Sequence, residues 1–310
     1  MNNKQTSFTL IELLVVIVII GILAGVVMIS TSSSIDKANI AKIKVFEESV
    51  QNNLAANMVS AWDADHVNKD GTSWTLNDKW GNNHGTFYDG TEVVCSDTVC
   101  PQIVNDNQMG NVLSFDGVND YIDCGNSDTL KKIGSEITAV AWIKRLNTDS
   151  LNRKYIFSND RDMNPPSGGF SLYVTHDNKI GGMIAKNSNS GKLILEGNLV
   201  PFEKWQQIVF IFNGKKIILF QDGNKFESVE IANDSIELAP YNFRIGIMAY
   251  NAPTYYKFNG LIKEIKIYNE ALPDAQIKQN YIAGLNSMLT NGNISKQEYN
   301  ERINNLAYDK

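Results

Sequence analysis

The run Phe8–Ile29, FTLIELLVVIVIIGILAGVVMI, constrains this chain more than any other stretch, being apolar nearly throughout with a single charge, Glu12. As a helix rising ~1.5 Å per residue it reaches roughly 33 Å, enough for a hydrocarbon core of about 30 Å. Core helices of soluble domains rarely stay apolar on every side for that length. A cleaved secretory signal fits poorly: the leader has seven residues, the run exceeds an ordinary h-region, and no small-x-small site follows it. A carboxylate inside such a span costs roughly 3 kcal/mol or more, which marks Glu12 as a functional position. Lys4 precedes the span and Asp36 and Lys37 follow it, a weak charge bias that favours a cytoplasmic N-terminus. Gly21 and Gly25 stand four apart, a spacing that lets helices approach closely in lipid, though glycine is also ordinary in membrane helices.

Beyond a Ser/Thr-rich break at Ser30–Ser34, Ile35, Ile43, Phe46, Val50, Leu54 and Met58 recur at helical spacing with polar residues between them. No Pro or Gly interrupts Ile35–Asp65. The pattern predicts one continuous helix from Phe8 to about Ala61, roughly 80 Å long, with its second half laying an apolar stripe on a globular body.

The segment Ser7–Ala24, SFTLIELLVVIVIIGILA, resembles the N-terminal cleavage and methylation segment of type IV pilins and type II secretion pseudopilins. The resemblance implies a prepilin peptidase that cuts between Ser7 and Phe8 and N-methylates the new amine of Phe8. It gives Glu12 the role of pairing with the N-terminal amine of a neighbouring subunit, and a buried carboxylate facing a buried ammonium relieves two desolvation penalties at once. The family usually has Gly before the cut, where this chain has Ser7. Many filament-forming members also carry a helix-breaking Pro in the first half of the spine, which is absent here.

From Trp62 to about Leu285 the texture becomes β. Thr138–Ile143 is apolar on both faces, as an inner strand should be. Ile208–Phe212, Lys216–Gln221 and Phe226–Ile231 follow one another across Asn213-Gly214 and Asp222-Gly223, both strong hairpin signals. Phe170–Val174 and Lys179–Ile184 form another hairpin, and Phe243–Ala249 and Leu261–Tyr268 are later strands. Many short strands on tight turns predict a sandwich or jelly roll. Gly81–Phe87 (GNNHGTF), Leu113–Gly125 (LSFDGVNDYIDCG), Ile137–Lys144 (ITAVAWIK), Trp205–Gly223 and Phe258–Ile277 resemble, in order, successive blocks of the laminin-G-like, concanavalin A-like jelly roll. That resemblance implies two antiparallel sheets and a habit of binding glycans or proteins. The tail reads as helical, with Asp274 a candidate N-cap for Ala275–Leu289, a Ser295/Glu298 capping box, and an Ile294/Tyr299 staple.

The predicted fold is therefore α+β: leader 1–7, membrane and assembly half of the spine 8–29, amphipathic half 30–61, jelly-roll head 62–285 and helical tail 286–310. The 310 residues carry a net charge of −6, which gives nucleic acid no support as a partner. Among three cysteines, Cys95 and Cys100 bracket one short loop and are expected to form a disulfide in an exported body. Cys124 reads as a small buried hydrophobe.

No GxSxG elbow, HExxH or Walker loop is present. Glycoside hydrolases on this sandwich alternate carboxylates along one strand, whereas Glu264 stands alone in Leu261–Ile265 and reads as solvent-facing. His66, His84 and His176 sit in turn-rich sequence and read as loop residues. The chain is expected not to be an enzyme. Laminin-G-like domains often hold calcium, for which Asp160 and Asp162, then Asp116 and Asp120, are the candidate ligands; none has EF-hand spacing, and turns need Asp in any case. Tyr250, Tyr255 and Tyr256 are candidates for a glycan surface, or for core and rim packing. The expected function is a pilus or pseudopilus subunit with a binding head, held in the bacterial cytoplasmic (inner) membrane with its N-terminus inside and then displayed outside the cell. Its expected partners are the peptidase, neighbouring subunits, membrane lipid, and a glycan or surface protein. The alternative is a membrane-anchored surface lectin that never polymerises.

Overall fold

The structure, a computed structural model, describes residues 41–306 apart from 47, 91–94, 96–98, 147–151, 161–167, 187–191, 228–229, 231–233, 240 and 251–255. Ser7, Phe8, Glu12, Asp162 and Tyr255 lie outside the described residues, as does the first half of the expected spine. Residues 41–46 and 48–55 are helical (α1). Val50 and Leu54, four apart and so on one helix face, are 4% and 2% exposed against the body, with Phe46 packed beside them.

The helix ends earlier than its periodicity predicts. After a turn at 56–57 the chain is already strand, β1 (Met58–Asp63). The cause is long-range. Ser60–Asp63 pair with Ile267–Glu264, and Trp62, 1% exposed, plugs the core. The β-ladder and the indole outweigh the weak helical preference of Met58–Ala61.

Two antiparallel sheets face each other. The first, sheet A, runs in the order β15 (Asn224–Glu227), β14 (Ile217–Gln221), β13 (Gln206–Asn213), β8 (Glu136–Arg145), β17 (Asn259–Tyr268), β6 (Gly110–Asp116), β5 (Gln102–Asp106), with β1 also paired to β17. The second, sheet B, runs β12 (Lys192–Leu199), β11 (Lys179–Ala185), β10 (Phe170–Val174), β9 (Lys154–Ser158), β16 (Arg244–Ile245), β7 (Asp120–Asp123), β4 (Gly85–Asp89), β3 (Ser73–Leu76), β2 (Val67–Asp70). Asp222 and Gly223 both take positive φ, 51° and 76°, as a tight hairpin turn between β14 and β15 requires. The strand expected at Phe243–Ala249 pairs only over Arg244–Ile245, because Gly246 at φ 86° turns the chain away.

Between the sheets a run of rings crosses the core: Trp62 on Phe243 (centroids 5.4 Å), Phe243 on Phe157 (5.5 Å), and Phe170 on Phe210 (6.1 Å). Cys124 belongs to this core at 3% exposure. Cys95 and Cys100 are joined by a disulfide.

Besides the single turn α2 (Asp128–Lys131) that links β7 to β8, the described α-helices cover the outer face of sheet A. Val140, Val209, Ile211, Ile218 and Phe220 meet α1 and Ile277 of α3 (Asp274–Thr290). Farther along, Val112, Trp142 and Leu261 meet Tyr281, Leu285 and Met288 of α3, and α4 (Lys296–Asn304) closes the cluster through its flanking Ile294 and Leu306. Strand β8 is thus apolar on both faces because both are buried. Ser295 caps α4, its Oγ accepting from the Glu298 N–H at 3.0 Å. Asp274 is not the cap of α3: Pro273 holds that position, and Asp274 in the first turn pairs with Lys225 at 2.7 Å.

Candidate functional site

The outer face of sheet B presents a different surface. Alternation along each strand turns Phe87 and Ile122 into the core and leaves Tyr88, Tyr121 and Asp123 outside. The β4–β7 register sets Tyr88 directly opposite Tyr121, and the rings stack at 4.8 Å and 5°. In the β16–β7 register Arg244 faces Asp123, whose carboxylate accepts from Arg244 Nε and Asn242 Nδ2, both at 2.9 Å. The guanidinium lies 5.1 Å from the Tyr121 ring and donates through Nη1 to the Ala249 carbonyl at 3.1 Å. Burial pushes the Tyr121 phenol above its ordinary value, while Arg244 draws it back. Tyr121 is 8% exposed and backs the stack, so Tyr88 is the partly open ring; beside a fixed, planar cation it offers a ligand both an apolar plate and directed donors.

Next to this platform Tyr155, Tyr173 and Met183 are fully buried. Tyr256 stands edge-on to Tyr155 at 6.1 Å, and Arg153 lies 4.7 Å over Tyr173. Gly181 makes that packing possible, since a Cβ there would sit 2.3 Å from Tyr173 Cε2. Of the tyrosines expected at a glycan surface, Tyr256 packs inward, while Tyr250 joins the rim through Tyr241 at 5.0 Å. Tyr88, Tyr121 and Arg244 carry the platform, and the sequence signal for the first two was their alternation with Phe87 and Ile122.

At one end of the sheet Asp116 and Asp120 come together. The Asp120 carboxylate accepts from the Asp116 N–H at 3.0 Å, and Asp116 Oδ1 accepts from Val118 N–H at 2.7 Å. Burial, with Asp116 and Asp89 close by, lifts Asp120 to about 7, and burial lowers the neighbouring Lys257. Asp160 is elsewhere, beyond the end of β9, with Lys192 at 3.8 Å. Among the described residues no three His, Cys, Asp or Glu side chains are grouped to hold a metal ion.

The three histidines serve local structure or solvent. His66 meets Asp63 at 2.7 Å, His84 Nδ1 accepts from the Asp78 N–H at 3.1 Å, and His176 is exposed in the β10–β11 turn. Glu264 is half-buried on the outer face of sheet A, where it pairs with Lys266 at 2.7 Å. The GNNHGTF stretch and Asp78 just before it fasten β1: Asn83 donates to Ser60 Oγ at 2.6 Å and accepts from Ser127 Oγ, and Asp78 accepts from the Ala61 N–H at 2.9 Å. No described helix is long and apolar enough to cross a membrane, and Phe8–Ile29 lies outside the described residues.

Among solved structures, the chain is similar to the binding domain of Paraclostridial Mosquitocidal Protein 1, with TM-score 0.54 and 16% identity over 75% of this chain and 53% of that one. It is similar to the binding domain of botulinum neurotoxin serotype G, with TM-score 0.51 and 14% identity over 73% and 50%. It is also similar to Trypanosoma rangeli sialidase in complex with sialic acid, with TM-score 0.51 and 10% identity over 77% and 38%. It spans about half or less of the length of each, and at these identities the likeness is one of fold. No curated protein matches the chain. The Prokaryotic N-terminal methylation motif matches residues 2–28. A laminin-G-type model of the Concanavalin A-like lectin/glucanases superfamily matches residues 116–278, more than half of the chain, from the start of the Asp116–Asp120 turn through most of both sheets into α3; the chain belongs to that superfamily.

Proposed function

We propose that this chain is a pilin-like subunit whose head binds glycans through the outer face of sheet B. The methylation motif at residues 2–28, in front of a lectin-type domain, carries the reading. In it, a prepilin peptidase cuts between Ser7 and Phe8 and methylates the new amine. Glu12 then meets that amine on a neighbouring subunit as the helix leaves the inner membrane for a pilus or pseudopilus. The apolar stripe of α1 on sheet A supports this, because it seats Phe46, Val50 and Leu54, on the N-terminal side of the head, against the sandwich. The head acts by binding and not by catalysis; the platform carboxylate, Asp123, is held by Arg244 and Asn242 and serves to orient the guanidinium. The stacked Tyr88–Tyr121 pair is a plate on which a sugar ring can lie, with Arg244 donating to its hydroxyls.

The N-terminus of the exported chain tests the first half of the proposal. Mass spectrometry should find it beginning at a methylated Phe8, and material that still begins at Met1 overturns the processing step. Glu12→Leu tests assembly: it should abolish filaments while leaving the chain in the membrane. Filaments that persist in the variant sink the pairing role and favour a plain anchored lectin.

A further inference from the structure

The helices on the outer face of sheet A do not seal it. A cavity of about 620 Å³ remains between α1, α3 and the β5–β6 hairpin, within the ~300–1,000 Å³ typical of small-molecule sites. Trp142 and Met288 line it on the side of the sheet and α3. Gly284 is what lets α3 lie on the indole, since a Cβ at that position would stand 2.7 Å from Trp142 Cζ2. Tyr281 stacks on the same ring at 5.7 Å and 20°. Trp142 is 5% exposed, and its indole N–H donates to no group among the described residues. That N–H lies beside Gly284, which also lines the cavity (the same Cβ would be 3.4 Å from Nε1). That N–H is not among the fully buried unpartnered atoms, so it opens towards the cavity and can donate to an acceptor placed there.

The walls are polar without net charge. Lys263 pairs with Asp65 at 2.9 Å and Lys266 with Glu264 at 2.7 Å, so two ammoniums cancel two carboxylates. The side-chain amides of Gln51, Gln108, Asn291 and Asn293 also line the space and bond to no group among the described residues. Each amide both donates and accepts. Neutral walls that give and take hydrogen bonds, with an indole N–H behind them, suit neither an ion nor an acyl chain. They suit a polyol.

We propose that this cavity between α1, α3 and the β5–β6 hairpin binds a neutral oligosaccharide, at a site separate from the tyrosine platform of sheet B. The proposal does not depend on the platform. The test uses the full chain in micelles of a detergent without a sugar headgroup, titrated with maltotriose, cellotriose and chitotriose. The readout is the Trp142 indole ¹H–¹⁵N resonance, assigned by its loss in Trp142→Phe, together with calorimetry. At least one of these sugars should shift that resonance. Trp142→Phe, which keeps the ring and removes the donor, should weaken its binding about tenfold. Ser287→Phe, which fills the space, should abolish it, and Tyr88→Ala on the other sheet should leave it intact. A resonance unmoved by all three sugars overturns the proposal, as does binding lost only in Tyr88→Ala. Self-association that Ser287→Phe blocks, with no sugar bound, assigns the cavity to a second copy of the chain and overturns it equally.

Discussion

The two outer faces of the sandwich are built from the same alternating strands and come to opposite ends. Outside sheet A, Val140, Val209, Ile211, Ile218 and Phe220 are aliphatic or aromatic without polar atoms, and α1 and α3 cover them, while α3 and the residues flanking α4 cover Val112, Trp142 and Leu261. Outside sheet B the corresponding positions hold Tyr88, Tyr121, Asp123 and Arg244, tied together by stacking and an ion pair, and no described helix lies over that platform. On the proposed function, attachment and recognition are divided between faces. The side on which α1 packs is a second hydrophobic core, whereas the opposite side keeps Tyr88 and Arg244 partly exposed. Removing apolar area should therefore cost stability on face A, and changes to the platform should cost binding first.

The largest expected effect breaks face A. Phe220 is fully buried, and Phe220→Ala should destabilise the head by about 3–5 kcal/mol, read by denaturant titration followed by tryptophan fluorescence. A loss near zero would mean that the helices merely rest on the sheet.

Next comes the charge buried near the end of face B. The carboxyl of Asp120 is raised to about 7 by burial and by Asp116 and Asp89, so the folded chain keeps a proton that the unfolded chain gives up near pH 4. Stability should fall as pH rises from about 4 to about 7, by on the order of 2–4 kcal/mol. Asp120→Asn should flatten that slope in paired pH-dependent melts, and an unchanged slope would show that Asp120 is ionised throughout.

On the platform itself, Tyr88→Ala should cost at most about 1.5 kcal/mol of stability while reducing glycan binding at least tenfold, compared by calorimetry and thermal melting. The reverse pattern, a large loss of stability with binding intact, would erase the contrast between the faces. Smallest is the cap of α4: Ser295→Ala should cost about 1 kcal/mol, seen as a small drop in melting temperature with platform binding unaltered.

Much of this division is legible in the residues. The all-apolar Thr138–Ile143 announces a strand buried on both sides, and the Asn-Gly and Asp-Gly turns place the β13–β14–β15 meander. The end of α1 is not legible, because Met58–Trp62 keeps the helical period and its conversion to strand depends on partners in Ile265–Tyr268 some two hundred residues away. Phe243–Ala249 reads as a full strand until Gly246, at positive φ, turns it. The platform is hidden for a related reason. Tyr88 and Tyr121 each look like ordinary strand residues, and only the register between β4 and β7 makes them a pair. The same holds for the cavity over Trp142, which exists only once α1, α3 and one hairpin meet.

The strand that follows α1 has a mechanical consequence. A pull on the chain that lifts α1 from sheet A next meets Met58, where it is shared at once by the five residue pairs that join β1 to β17. Trp62, wedged among core rings and tethered through its indole N–H to the Asn83 carbonyl at 2.7 Å, acts as a cleat behind them. Opening the head from this end requires giving up the whole ladder and withdrawing a core indole together.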